Sequence, residues 1–306
     1  MNFLALLVTL LAQHTYPITG RGPVMEFYGR LCLSTAKRMN AGDRNSGILA
    51  WVVLMAAVLV PIGLITAVLA SVHAIFVCPL DIVILFFSIR FLSTVRALSS
   101  IEKALREPDV ASAANLLSQW KGEPVETDEA TSIARLAAEH ALREAHVGTF
   151  GLLFWFLLLP GPLGLVMYPL ALRAAQSWEH LLEPQEREFG WFAARAFHVI
   201  DWIPQRVTAF FFAVVGNFED ALFCWRSQAA AWLAPEEGIV LASGAGALGV
   251  RLGDPISSAG ALLARPALGT GEAAREDALA SLEGMLWRAL VLWLVVFALA
   301  AALQLA

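Results

Sequence analysis

Residues 48–70, ILAWVVLMAAVLVPIGLITAVLA, contain no Asp, Glu, Lys, Arg or His. A helix needs about 20 apolar residues to cross a bilayer, where no water is present to satisfy backbone polar groups. This stretch meets that length and starts just after the polar, turn-forming run Asn40 to Gly47, so lipid must be the solvent for part of the chain. Composition agrees: of 306 residues, 58% are apolar and 15% charged, with mean hydropathy +0.66. Water-soluble domains carry about 25% charged residues. Residues 285–306 read as a second, terminal span.

A further apolar run, 72–92, follows the first so closely that the two predict a helical hairpin with Ser71 near its apex. The flanks 19–47 and 93–147 hold Arg21, Arg30, Lys37, Arg38, Arg44, Arg96, Lys103, Arg106, Lys121, Arg135 and Arg143, whereas the apex has no Lys or Arg. By the positive-inside rule, the flanks face the cytoplasm. The N-terminal MNFLALLVTLLAQH lacks a positive leader and a small-residue cleavage site. It is expected to stay attached, either re-entrant or packed on the bundle.

Between 94 and 146 the pattern turns charged and Ala-rich, with a break at KGEPVE. Ile133, Leu136, Ala137 and Leu142 recur at helical spacing, which predicts amphipathic helices, the second capped by Thr127 or Asp128. The apolar block 148–172 is interrupted by Pro160-Gly161-Pro162. One kinked helix crossing there would put 173–203 outside, whereas two half-helices that dip and return would leave it in the cytoplasm. The predicted class is all-α: a polytopic helical membrane protein with amphipathic cytoplasmic helices. It is read as one membrane domain, 1–306, made of a hairpin (48–92), an amphipathic segment (94–146), an apolar and motif-bearing block (148–225), a Gly/Pro-rich polar segment (226–283) and a terminal span (285–306).

Net charge of −5 and a pI near 5.7 argue against a nucleic-acid partner. The cysteines Cys32, Cys78 and Cys224 form no CxxC pair and predict neither a disulfide framework nor a zinc site. Asp81, inside the second span, is either a functional ionisable group or a cap for a helix loosened by Pro79. Gly244, Gly246 and Gly249 satisfy GxGxxG after the strand-like GIVLAS, but Gly253-Asp254-Pro255 follows too soon for a dinucleotide-binding helix. A close-packed or anion-contacting loop is expected there. Glu139, His140, Glu144 and His146 share one helix without an HExxH motif, so a solvated face is expected and no metal site. No GxSxG elbow anchors a serine hydrolase.

Three blocks carry a resemblance. Glu188-Phe-Gly-Trp-Phe-Ala-Ala-Arg195, Ile203-Pro-Gln-Arg-Val-Thr-Ala209 and Gly246-Ala-Leu-Gly-Val-Arg-Leu-Gly253 occur in that order, and over roughly 80–303 the sequence resembles the CobD/CbiB family. The resemblance implies a multi-pass protein of the bacterial inner membrane. Its activity would be of the adenosylcobinamide-phosphate synthase type, joining aminopropanol or its phosphate to a carboxylate of adenosylcobyric acid in an ATP-dependent amide ligation that also uses Mg. A corrinoid substrate and other membrane biosynthesis proteins are the implied partners, besides the lipid bilayer. Carried over by position, Arg195, Arg206 and Arg251 would bind phosphate or carboxylate oxygens, because a guanidinium fork engages such groups bidentately. Gly246 and Gly249 would line the same substrate-binding region, and Glu144, Asp201 and Asp254 are the carboxylates left to assist chemistry.

The chain departs from the family's pattern where acidic residues are usual: Gln176 replaces one, and Phe197 and His198 stand where two others follow the family arginine. The early Gly-Asp-Pro is absent. The stretch from Ile200-Asp201-Trp202 to Trp225, with Gly216-Asn-Phe-Glu-Asp-Ala-Leu222, also looks like AmpE, a related membrane protein not known as a ligase. The alternative implied is a non-catalytic signalling or scaffold protein on the same fold.

Overall fold

The uncharged stretch lies within helix α3 (Arg44–Val72), and what surrounds it confirms the solvent. Asp43 caps the helix by accepting from Ser46 N at 3.1 Å. Only Gly47, Ala50, Leu54, Met55 and Thr66 are buried, whereas Val52, Val60, Leu64, Ile65 and Val68 stand exposed. Such a continuous apolar surface is stable only against acyl chains. The computed structural model describes residues 2–16, 23–125, 127, 129–180, 187–258 and 261–305. Among these, four helical runs are long and apolar enough to cross a membrane: Arg44–Val72, Val77–Arg106, Ala130–Leu158 and Glu276–Leu303. The chain is therefore a polytopic, all-α membrane protein, with strands confined to two short ribbons.

It divides into two compact units, 1–89 with 151–204 and 296–306, and 90–150 with 205–295. In the first, α1 (Asn2–Thr15) packs on α4 (Val77–Ser88). Gln13 anchors it by donating to the carbonyls of Phe86 and Ile89 at 2.7 and 3.0 Å. The N-terminal segment thus resolves as a helix lying on the bundle. A short 3-10 turn at Ala74–Phe76, just past Ser71, joins α3 to α4.

Helix α2 (Pro23–Met39) buries Tyr28, Cys32 and Ala36 at four-residue spacing against α9 (Leu163–His180), where Trp178 Nε1 donates to Cys32 O at 3.0 Å. Burial pushes the Cys32 thiol up to about 12, so it packs as an apolar group. Phe189 and Ala193, from the start of α10 (Arg187–Val215), complete this core. A Cβ on Gly47 would stand 2.1 Å from Phe189 O, and one on Gly190 would stand 2.8 Å from Trp178 O. Backbone approach, more than side-chain bulk, sets the spacing of α3, α9 and α10.

The Pro160 region turns the chain back. Helix α8 (Gly151–Leu158) and α9 pack antiparallel: a Cβ on Gly164 would meet Trp155 O at 2.2 Å, and one on Gly151 would meet the Tyr168 hydroxyl at 2.4 Å. The block 148–172 is thus two packed helices and not one kinked helix. Helix α8 also continues α7 (Ala130–Ala145) through a π turn at His146–Phe150, so the amphipathic segment and the apolar block meet inside one helical run.

The second unit holds α5 (Phe91–Arg106), α6 (Val110–Lys121), α7, the end of α10, α11 (Phe218–Gln228), α12 (Pro235–Leu248) and most of α13 (Glu276–Leu305). Two ribbons pair β1 (Arg251–Leu252) with β4 (Leu268–Gly269), and β2 (Ile256–Ser258) with β3 (Ala261–Leu263). The strand-like GIVLAS is helical, part of α12. The glycines that follow it allow close contact between helices: a Cβ on Gly246 would lie 2.5 Å from Asp220 O of α11, and one on Gly244 would lie 2.6 Å from Leu142. The run 244–249, expected as a loop, is therefore helix as far as Leu248 and packs between helices, and Gly249, left-handed at φ +67, ends it. Asp128 lies outside the described residues; the N-cap position of α7 falls to Glu129, whose carboxylate accepts from the Thr131 and Ser132 hydroxyls at 2.5 and 2.7 Å.

Two glycine substitutions separate contact from propensity. Gly47→Ala drives a methyl into the Phe189 carbonyl and is expected to cost about 1–3 kcal/mol. Gly284→Ala, in α13 where no described atom beyond its own stretch of helix lies within 4 Å of the added carbon, is expected to stabilise by about 0.5–1 kcal/mol. Thermal unfolding of the detergent-solubilised protein measures both, and equal shifts would contradict the packing described.

Candidate functional site

Helix α7 is built of small and apolar residues on its inner side, with Ile133, Ala134, Ala137, Ala138 and Ala141 fully or almost fully buried. Its Arg135 and Glu139, one turn apart, are each only 8% exposed. The solvated face expected here is instead an interior one, and His140 stacks edge-on against Trp120 at 4.5 Å. Buried charges require partners, and the partners come from the segment after α12.

That segment turns sharply. Gly249 ends α12, and Gly253 (φ +80) and Asp254 (φ +65) are consecutive left-handed residues. A Cβ on Gly253 would sit 2.1 Å from Pro266 O, so only glycine fits. The turn aims Gly253 N at Glu139 Oε1, 2.9 Å away. Arg265 closes the arrangement: Nη1 donates to Glu139 Oε2 at 2.7 Å and Nη2 to Glu139 Oε1 at 3.3 Å. The same guanidinium donates to the carbonyls of Asp254 and Gly253, both at 3.2 Å, and lies over the Trp232 ring at 5.3 Å. Glu139 and Arg265 thus form a buried bidentate pair that clamps the 253–254 turn onto α7.

The Asp254 carboxylate faces two further cations. Arg135 Nη1 and Arg251 Nε both reach the same oxygen, Asp254 Oδ2, at 3.4 and 3.2 Å. With Arg265 and Glu139 included, three guanidinium groups meet two carboxylates, leaving the cluster net positive.

A second polar group sits at the π turn. Arg90, where the helical run 77–106 breaks, donates its N–H to Gly148 O at 2.9 Å and pairs with Glu144 at 3.0 Å. A Cβ on Gly148 would stand 2.9 Å from Arg90 Nε, so the glycine makes room for the guanidinium. His146 Nδ1 and Thr208 Oγ1 are 2.9 Å apart in the interior.

The residues singled out from sequence are thus distributed. Arg251 and Asp254 come together; Glu144 belongs to the π-turn group, paired with Arg90. Arg206 is half-buried on α10 in the second unit. Arg195 is exposed, and Asp201 is buried with the Tyr168 hydroxyl donating to it at 2.8 Å; both belong to the first unit. Gly246 packs on α11 and Gly249 ends α12. Sequence reasoning missed Arg90, Arg135, Arg265 and Trp232 as site residues. Only the Arg135/Glu139 spacing carried a local signal, because the partners of both residues lie more than a hundred positions away.

Fold and site together define a polytopic helical membrane protein with an arginine-rich polar cluster held between α7 and the loop after α12. The family model described as CobD/Cbib protein matches residues 3–303, and this chain belongs to that family. It is 30% identical over 298 residues to a cobalamin biosynthesis protein CobD from Stutzerimonas stutzeri, covering 96% of each chain. A protein of the same name from Chromobacterium violaceum is 33% identical over 69% of this chain and 67% of its own. A cobalamin biosynthesis protein CbiB from Salmonella choleraesuis is 25% identical over 93% of this chain and 91% of its own. These relatives favour CobD/CbiB over the AmpE reading. No solved structure matches.

Removing one member of the clamp strands the other. Glu139→Ala leaves the Arg265 guanidinium buried without its carboxylate and is expected to cost about 3–5 kcal/mol. Loss of thermal stability together with new proteolytic cleavage between 253 and 265 checks it; cleavage unchanged from wild type would contradict the clamp.

Proposed function

We propose that this protein acts in cobamide biosynthesis in the bacterial inner membrane, joining aminopropanol or its phosphate to adenosylcobyric acid. The observation that carries the reading is family membership over almost the whole chain, with a relative named for cobalamin biosynthesis aligned along 96% of both sequences. The third family block, ending at Gly253, is also the block that builds the polar cluster.

Amide formation of this kind needs oxyanions held in register with an amine. Arg251 is the best-placed anchor, since its guanidinium is half exposed beside Asp254. Arg206 and Arg195 are further candidate anchors, and Gly246 and Gly249 shape the helix end before the site. Of the three carboxylates Glu144, Asp201 and Asp254, the last is the one next to that anchor. The reading makes ATP and Mg co-reactants and the corrinoid the substrate. The carboxylates of the cluster and of the π-turn group do not fit a protein-built magnesium cage, because Asp254, Glu139 and Glu144 are each engaged by guanidinium groups. Among the described residues no group of three or more His, Cys, Asp or Glu is positioned around a metal.

The topology proposed places the polar segments in the cytoplasm. Arg44 at the start of α3 pairs with Glu188 at the start of α10, which puts residue 188 at the same end of the first unit as the Lys/Arg-rich flank before α3. The reversal at Pro160 agrees with this.

Growth tests the function. Expressed in a cobamide-requiring strain that lacks its own synthase, the protein is expected to restore growth on cobyric acid. Arg251→Ala, with normal membrane levels, is expected to lower turnover about ten- to hundredfold, the worth of a charge-assisted hydrogen bond of roughly 1.5–3 kcal/mol. Absence of growth from well-expressed wild type would remove the ligase reading. For topology, a reporter fused near Glu188 is expected to read cytoplasmic; periplasmic activity would reverse the assignment.

A further inference from the structure

The Asp254 carboxylate sits in an unusual electrostatic position. Two guanidinium groups from different elements, Arg135 on α7 and Arg251 on β1, both aim at one of its oxygens, Oδ2, at 3.4 and 3.2 Å. Arg135 is more than nine-tenths buried, yet among the described residues its Nε has no hydrogen-bond partner and its Nη2 reaches the Ser132 hydroxyl at 3.4 Å. A buried guanidinium with an unused donor is under-coordinated. Its planar fork suits an acceptor with more oxygen atoms in reach than one carboxylate supplies.

We propose that Arg135 and Arg251 form a two-guanidinium receptor for a phosphate-class oxyanion, and that Asp254 fills it as an internal counter-ion when no ligand is bound. The proposal rests on the ligase reading only for which substrate brings the oxyanion.

Three features support displacement. First, the turn does not depend on the Asp254 carboxylate: its backbone is held by Arg265, which binds the carbonyls of Asp254 and Gly253, and by Glu139, which binds Gly253 N. The side chain is free to leave while the turn stays in place. Second, Asp254 is a non-glycine residue at φ +65, a strained conformation of the sort that persists where surrounding contacts impose it and that concentrates at ligand clamps. Third, the way in is open on one side, because the Arg251 side chain is 47% exposed and that of Asp254 27%. With Asp254 swung out, three guanidinium groups face the single carboxylate of Glu139, an excess of two positive charges. A phosphate monoester carries about −1.5 to −2 at neutral pH, so the charge matches a phosphate better than a monocarboxylate.

The sign of one substitution separates this arrangement from a catalytic or metal-bearing Asp254. Inorganic phosphate is titrated into the full-length protein in a maltoside detergent, free of phospholipid, at pH 7 and low salt, with binding read by calorimetry. Asp254→Asn is expected to bind phosphate about three- to tenfold more tightly than wild type, because the resident competitor is gone. Arg135→Gln and Arg251→Gln are expected to weaken binding about tenfold or more, the loss of a charge-assisted contact. Acetate in place of phosphate is expected to bind more weakly in every variant.

Weaker or unchanged phosphate binding in Asp254→Asn overturns the proposal, as does binding indifferent to both arginine substitutions. Should Arg135→Gln fail to fold, Arg251→Gln at the exposed edge and Asp254→Asn still decide the outcome. Because the readout is binding, a failed growth test beside a tighter Asp254→Asn would remove the ligase reading and leave the receptor intact. Growth restored by wild type beside weaker binding in Asp254→Asn would do the opposite.

Discussion

Lipid around the spans removes the driving force that water gives to helix association, since acyl chains are as apolar as the side chains they touch. What remains is close van der Waals approach and the internal satisfaction of polar groups. The first unit relies on approach. Gly47, Gly151, Gly164 and Gly190 each stand where an added carbon would collide with a neighbouring backbone or with the Tyr168 ring. The second unit adds paired charge, with Glu139 and Arg265 nearly enclosed and mutually bidentate. Enclosure makes such a pair expensive to break and of little net value to form, so it fixes the place of a turn more than it adds stability.

That distinction explains what the family blocks contribute in this chain. The first block contributes packing: Phe189 is a core side chain, and Gly190 meets the Trp178 carbonyl. The second lies along the interior of α10, where Thr208 meets His146 and Ala209 O accepts from the Ser243 hydroxyl at 2.7 Å. The third block supplies Arg251 and Gly253 to the polar cluster.

The spans are legible because hydrocarbon thickness is a length filter that needs no knowledge of neighbours: α3 follows from uncharged length, and α13 from an apolar run, 285–306, in which Arg288 is the one charged residue. The reversal at Pro160-Gly161-Pro162 was not decidable, since proline ends or bends a helix equally well. The small residues at 151 and 164 decide it, and their partners are known only from the fold. GIVLAS read as a strand on its β-branched residues, but tertiary packing of its glycines on α11 makes it helix. The charged face of α7 read as solvated because a helical wheel carries no trace of Arg265, 126 positions downstream. Arg251 and Asp254, named from the resemblance, come together in the polar cluster. Arg135 was legible only as one of many cations in a positive flank.

The carboxylates missing from the family's usual positions, Gln176 among the replacements, bear on what the cluster can do. A site with more guanidinium than carboxylate is built to hold anions. In the proposed receptor Asp254 is a placeholder, held by Arg135 and Arg251 through one oxygen. An oxyanion with more acceptor atoms takes both guanidinium groups in its place, so a site with few carboxylates is suited to hold an anion in position.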